Sequence, residues 1–395
     1  MLKKHLNNYF YDGDEMPRNI FISLLSSFVY ALGYSSVMFL PLYLKHSLGY
    51  SIQKTGVILG VFGVAFILGS FYGGKLCDRF SPYRVARVSI FLYFIVAIMA
   101  YFFPRPEWLL LIILFFLGLS ISFFSPASRI YLMEITPKEK QISVNGIRYM
   151  VMNVGIAISC GIAGIVAAGN YNRIFILSSV SGVAAFLVFS KLKPLSLRDK
   201  EEKLSTRPNL WKEKFILVSL VSFFLSMLVF NQTGSSYSLF LTTQFHFTSH
   251  DIALLFIVNS LVITFFQVPI LKIFGQLQQF LLMSIGSIIL GTGFFILIFS
   301  HIFIVTIISM LLITIGEMLF MPISQTLIFQ SARESERGFY VGVYQALYAS
   351  TFVLSPLIGT FVLSLNPSGK LLWTGSLALC CIPLFLFITA VRQNK

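Results

Sequence analysis

Apolar runs of roughly the twenty residues that a helix needs to cross about 30 Å of hydrocarbon recur along the whole of this 395-residue chain. They fall at 19–44, 52–74, 84–103, 107–133, 142–168, 172–190, 215–242, 251–273, 280–299, 302–329, 338–364 and 370–391. Lipid offers no water to an unpaired peptide group, so only helices or closed barrels can span it. These runs are too long and too evenly apolar for barrel strands. The expectation is an all-α membrane protein of twelve transmembrane helices. Composition agrees: 11% of residues are charged, against about 25% in soluble domains.

The net charge of +14 would suit a nucleic-acid binder, but its distribution points elsewhere. Twelve crossings put both termini on one side. That side collects Lys3, Lys4, Arg18, the Lys75–Arg87 group, Lys138, Lys140, Lys272, Arg333, Arg337, Arg392, Lys395 and the basic residues of 191–214. The other side keeps Lys45, Lys54, Arg105, Arg173 and Lys370. Basic residues gather in cytoplasmic loops, so both termini are expected in the cytoplasm, with lipid and not nucleic acid as the surrounding partner. The first apolar run is too long for a signal-peptide core and reads as a retained helix. Cys77, Cys160, Cys380 and Cys381 show neither metal spacing nor a disulfide framework.

The one long polar interruption, Lys191 to Lys214, divides the chain into an N-terminal six-helix bundle (1–190), a cytoplasmic linker (191–214) and a C-terminal six-helix bundle (215–395). A shift of 196 residues lays "FFSPASRIYLM" over "LFMPISQTLIF" and pairs Phe124 with Phe320, Pro126 with Pro322 and Ser128 with Ser324. The same shift pairs Gly146 with Gly342 and Ser159 with Ser355. Such a shared offset marks an internal duplication. Six helices per copy make the repeat parallel, as in transporters built from two six-helix halves.

Between the second and third runs lies "GGKLCDRFSPYR", Gly73 to Arg84. It resembles the signature loop of the major facilitator superfamily through Gly74, Leu76, Asp78, Arg79 and Arg84. "NGIRYMVMNVGIAIS" and "ERGFYVGVYQALYASTFVLSPLIG" resemble helices 5 and 11 of that superfamily's drug:proton antiporter branch. The resemblance implies two pseudo-symmetric six-helix bundles around a central cavity lined by helices 1, 4, 7 and 10. It also implies a cytoplasmic gate in which Asp78 meets the N-terminal end of helix 11. A carboxylate is stabilised there by free N–H groups and the helix dipole. Gly74, Asp78, Arg79, Arg129 and Glu134 form the expected gate. The chain departs from the pattern at Ser81-Pro82, where the loop has its second glycine, and at Ser159-Cys160, where antiporters carry Gly-Pro. Leu109 to Phe124 contain no charge, so the arginine usual in helix 4 is missing.

Ionisable groups inside a span are costly and are functional candidates by default. Glu317 lies about 24 Å along the tenth run from residue 301 at 1.5 Å per residue, near mid-membrane. Protonation would remove its charge there, which makes it the expected proton-coupling group. Arg148 lies about 9 Å into the fifth run on the same rise. It is placed to pair with Glu317, with Glu134 or with an anionic substrate, or to snorkel to headgroups. "YALGYSS" and "FNQTGSSYS" interrupt the first and seventh runs. Tyr30, Tyr34, Asn231, Gln232, Gln325, Gln345 and Tyr348 are the expected polar lining of the cavity. His246, His250 and Asp251 lack a fourth ligand for zinc, and no metal is expected.

The chain carries no phosphate-binding G-x-x-x-x-G-K-[ST] and no nucleophile–base pair, so neither ATP, another cofactor nor enzymatic chemistry is expected. The reading is a monomeric, proton-coupled secondary transporter of the inner membrane that exports a small amphipathic compound by alternating access. The alternative is an importer or facilitator of a nutrient such as a siderophore or amino acid.

Overall fold

Hydrocarbon has already removed water from each segment, so hydrophobicity cannot drive one helix onto another. Packing and polar contacts must do so. A computed structural model describes residues 16–104, 106–194, 213–274, 277–331 and 337–393. Twelve principal helices appear among them: α1 (Arg18–Ala31), α2 (Ile52–Phe80), α3 (Pro82–Phe102), α4 (Glu107–Glu134), α5 (Gln141–Val166) and α6 (Arg173–Phe189) in the first half. The second half holds α7 (Lys214–Phe230), α8 (Ser249–Phe274), α9 (Gln279–Phe295), α10 (Phe303–Ser331), α11 (Arg337–Leu365) and α12 (Lys370–Gln393). No strand occurs among the described residues. Eleven segments are long and apolar enough to cross a membrane; α6 is equally apolar but has only 17 residues. Most of the expected linker, 195–212, lies outside the described residues.

Every helix of the second half starts 196 or 197 residues after its counterpart in the first. Pro126 and Pro322 occupy the same position along α4 and α10. The duplication seen in a few side chains therefore extends to the whole helical frame, and the chain is a pair of pseudo-symmetric six-helix bundles.

The chain clusters into two compact units. One is Met1–Leu48 with Val61–Asp199, and the other is Lys200–Lys395 with Gly49–Gly60. In each, large apolar side chains face outward, among them Ile165 at 72% exposure and Phe265 at 67%. Serines are buried instead: Ser23, Ser26 and Ser27 on α1, and Ser219, Ser222 and Ser226 on α7. Small residues allow close helix approach. Where α9 and α10 cross, a Cβ added at Gly316 would stand 2.6 Å from both the Gly286 carbonyl and the Leu290 amide. At the end of the first unit where α1 and α5 begin and α4 finishes, Met16, Ile20, Leu24, Leu132, Val144 and Ile147 pack into an apolar cluster.

The loop expected over Lys75–Tyr83 is almost absent. α2 runs on to Phe80 and α3 starts at Pro82, so the reversal is made by Ser81 alone, at φ 72° and ψ 145°. The following proline accounts for the extended ψ. The positive φ is a conformation that side chains other than glycine resist by about 1–3 kcal/mol. The Ser81 hydroxyl is also buried without a partner. Ser81→Gly should thus raise the midpoint of thermal unfolding in detergent, by the equivalent of about 1 kcal/mol. An unchanged or lower midpoint would show that this turn is not held at positive φ.

Candidate functional site

The first helix of each half is broken within about one turn of the equivalent place. α1 stops at Ala31, turns through Leu32–Tyr34, resumes at Ser35–Met38 and Leu40–Leu42, and ends in a π-helical turn, Tyr43–Ser47. α7 stops at Phe230, turns through Asn231 and Gln232, makes a π-helical turn at Thr233–Tyr237 and continues as Ser238–Gln244. Paired interruptions at corresponding positions of two repeats point to a transporter's binding region. Peptide groups freed in a membrane must find partners within the protein, and the two breaks find them differently.

At the α1 break, the Gly33 carbonyl accepts from the Tyr93 hydroxyl at 2.8 Å and from Ser178 Oγ at 2.6 Å. The Ser35 amide donates to Ser159 Oγ at 3.0 Å. Residues of α3, α5 and α6 thus close the break, and Ser159 performs this task where the antiporter pattern has glycine. Tyr30 packs against Phe124 at 4.1 Å between ring centroids and against Tyr93 at 5.0 Å.

At the α7 break the bonds run to α11, and a hydroxyl of α11 takes the freed carbonyl. Asn231 Nδ2 donates to Thr351 Oγ1 at 2.6 Å and Gln232 Nε2 to the Ser355 carbonyl at 3.0 Å. Ser355 Oγ returns a bond to the Leu228 carbonyl at 2.7 Å. Both contacts tie α7 to α11. Gln232 Oε1 and Ser236 Oγ remain buried without partners.

These geometries sort the expected lining. Tyr30 and Gln232 are 2% and 3% exposed; Tyr30 packs on its ring neighbours and Gln232 bonds α11. Tyr34, Asn231, Gln345 and Tyr348 are half-buried. Tyr348 stacks edge-on with Phe352 at 5.2 Å. The side chain of Gln325 lies outside the described ones.

Glu317 sits inside α10, 8% exposed. It is nine residues beyond the exposed Ile308, about half a turn out of phase at 3.6 residues per turn, so it points away from the apolar outer face. Asn259 of α8 donates through Nδ2 to Glu317 Oε2 at 3.3 Å and to Thr314 Oγ1 at 2.9 Å. Thr314 passes its own proton to the Met310 carbonyl at 2.6 Å. Among the described residues no basic side chain pairs with this carboxylate. Sequence reasoning missed Asn259; its only signal was an isolated amide within an apolar run.

Arg148 of α5 is likewise 8% exposed. Its Nη2 donates to the Ser125 carbonyl at 3.2 Å and to Ser128 Oγ at 3.1 Å, both on α4. Of the acids open to it from sequence, Glu134 is not among its contacts. The residue 196 positions on, Tyr344, meets Ser324 at 3.4 Å. The two halves therefore share a bridge between fourth and fifth helices, made by a cation in one and a phenol in the other.

The expected gate is only partly described. Asp78 lies within α2, but its side chain and that of Gly74's neighbour Lys75 are outside the described ones, as is Gly74 itself as a packing position. Arg79 is exposed and lies over the Phe80 ring at 5.2 Å. Arg129 and Glu134 are exposed, and no ion pair joins them or Arg79 among the described side chains. Asp251 has a local role: its Oδ2 accepts from the Thr248 amide at 2.8 Å and hydroxyl at 2.7 Å, capping the start of α8.

A duplicated six-helix frame with paired helix breaks and an isolated buried carboxylate defines a polytopic membrane transporter. The chain belongs to the Major Facilitator Superfamily, whose sequence profile matches residues 22–356 and again 218–393. An uncharacterized MFS-type transporter of Bacillus subtilis (strain 168), YqjV, is 23% identical over 373 residues, covering 91% of this chain and 90% of that one. The quinolone resistance protein NorA of Staphylococcus aureus is 23% identical over 250 residues, 60% of this chain and 62% of NorA. Among solved structures, the nucleoside transporter NupG superposes with a TM-score of 0.81 at 13% identity, over 93% of this chain and 98% of that one. The protein is a multi-pass membrane transporter for small-molecule substrates, not an enzyme.

The Asn259–Glu317 contact can be measured. Asn259→Ala should lower stability by about 1.5–3 kcal/mol, the range for a hydrogen bond to a charged group. Introduced into Glu317→Gln instead, the same Asn259→Ala change should cost less than it does in the wild type, because residues in contact couple and the charge it served is gone. Strict additivity in thermal unfolding would mean that the two side chains do not meet.

Proposed function

We propose that this transporter is driven by protons and exports small amphipathic compounds, with Glu317 as the group that takes up and releases the proton. The carrying observation is a carboxylate buried in α10 and held by one amide, Asn259, with no cation beside it among the described residues. A charge so placed costs about 2.5–3.5 kcal/mol on insertion scales. Protonation removes that cost and so alters which arrangement of α8 and α10 is preferred. A proton gradient can then bias the conformational equilibrium, by no more than the difference in proton affinity between the states.

In this reading the units formed by 1–190 and 215–395 alternate in exposing substrate, joined by the cytoplasmic linker 191–214. Gly74, Asp78, Arg79, Arg129 and Glu134 serve as the cytoplasmic gate, and Tyr34, Asn231, Gln325, Gln345 and Tyr348 offer polar contacts to substrate. Tyr30 and Gln232 hold the helix breaks behind them. The protein acts as a monomer in the inner membrane with both termini in the cytoplasm, as the distribution of lysine and arginine suggests. Export is supported by the likeness to a protein named for quinolone resistance. Import of a nutrient is the second reading, favoured by Ser159-Cys160 in α5, where Ser159 binds the α1 break and no Gly-Pro pair remains.

Everted membrane vesicles with an imposed pH gradient test the coupling. Glu317→Gln should reduce gradient-driven uptake of a fluoroquinolone by at least about tenfold, a barrier change of about 1.4 kcal/mol, while the variant still unfolds as a single cooperative species. Undiminished uptake would remove Glu317 from the coupling. Accumulation in right-side-out vesicles alone would reverse the direction.

A further inference from the structure

A buried guanidinium without a carboxylate partner is expensive, and an arriving opposite charge recovers part of that cost. Arg148 is such a group. It donates through Nη2 to two neutral acceptors on α4, and its Nε is buried with no partner. Arg129, the residue after Ser128 on α4, lies close enough to act on it electrostatically and adds like charge, not relief. Among the described side chains no acid pairs with either. Glu134, five residues beyond Arg129 at the end of α4, is exposed.

The surroundings lie away from the outward apolar faces of α4 and α5. On α4 the exposed apolar positions are Trp108, Ile112 and Phe116. Ser125 is exposed too, but it stands nine residues beyond Phe116, about half a turn away around the helix. Arg129, one turn further, shares the Ser125 face. On α5 the exposed apolar positions are Ile158, Ile162 and Ile165, and the exposed Tyr149 stands nine residues before Ile158, again about half a turn away. Arg148 therefore lies where the non-lipid faces of α4 and α5 meet, between Ser125, Arg129 and Tyr149.

We propose that Arg148, assisted by Arg129, receives an oxyanion of the transported compound, so that the substrate is an amphipathic acid or zwitterion and not a simple organic cation. Arginine suits this task because its planar fork matches the two oxygens of a carboxylate. The assignment rests on the export reading above and adds the substrate's chemical class to it. Tyr344 at the equivalent point of the other half has the same bridge to its fourth-helix counterpart but no charge, so that equivalent point offers no anion contact.

The test is equilibrium binding to the purified full chain, without any gradient, so that it does not depend on Glu317. The probes are three acid and ester pairs: a fluoroquinolone, an aryl carboxylate and an alkyl carboxylate, each with its ethyl ester. The wild type should favour at least one acid over its ester by about tenfold or more. Arg148→Gln should bring that ratio to about one, and Arg148→Lys, which keeps the charge but not the fork, should fall between. If no acid outbinds its ester in the wild type, the proposal is overturned, whatever the variants do. It is overturned equally if Asp78→Asn restores the thermal stability of Arg148→Gln, which would identify an internal carboxylate as the partner. A third arm compares nanodiscs with and without phosphatidylglycerol. Stabilisation by that lipid which vanishes in Arg148→Gln, with acids and esters bound alike, would assign the oxyanion to a headgroup and overturn the substrate assignment.

Discussion

The absence of water inside a bilayer is the constraint on which the rest of this structure depends. Each unpaired peptide group there costs several kcal/mol, so a helix can be interrupted only where neighbours supply hydrogen-bond partners. The chain interrupts two of its helices, at Leu32–Tyr34 and at Asn231–Gln232. Much of its buried polar chemistry serves those two places: Tyr93, Ser159 and Ser178 for one, Asn231, Gln232, Thr351 and Ser355 for the other. Polar residues that look like ligand contacts in an apolar sequence are in good part answers to this demand.

The two halves meet that demand with one frame and different chemistry. Helix starts repeat at a nearly constant interval, and prolines sit at equal positions in α4 and α10. Yet the bridge between fourth and fifth helices is arginine to serine in one half and tyrosine to serine in the other. Among the described side chains the buried acid belongs to the second half, at a position matched by Ile121 in the first. Backbone geometry is held by packing and tolerates slow change of side chains. Under the proposed coupling, charge need not be duplicated, because one titratable group is enough to tilt an equilibrium.

Much of this was legible before any coordinates. Hydrocarbon thickness sets a minimum run of apolar residues, so the twelve segments show in the sequence with ends shifted by only a few residues. The polar clusters in the first and seventh runs correspond to real breaks. Less legible was the turn after α2: charged residues from Lys75 to Arg84 suggest a loop, whereas the helix continues to Phe80 and a single serine makes the reversal. Polarity marks where a chain leaves the lipid, which need not be where its helix ends.

Composition and spacing determined the number of crossings, the duplicated order of helices and the presence of one acid and one deeply placed base within the spans, since each follows from counting along a line. Tertiary structure decided what those groups touch. Asn259 reaches Glu317 from a helix 58 residues away in sequence, and Arg148 settles on the main chain of α4, not on an acid. Such choices depend on which helical faces meet, and where all twelve segments are apolar, linear order carries no record of that.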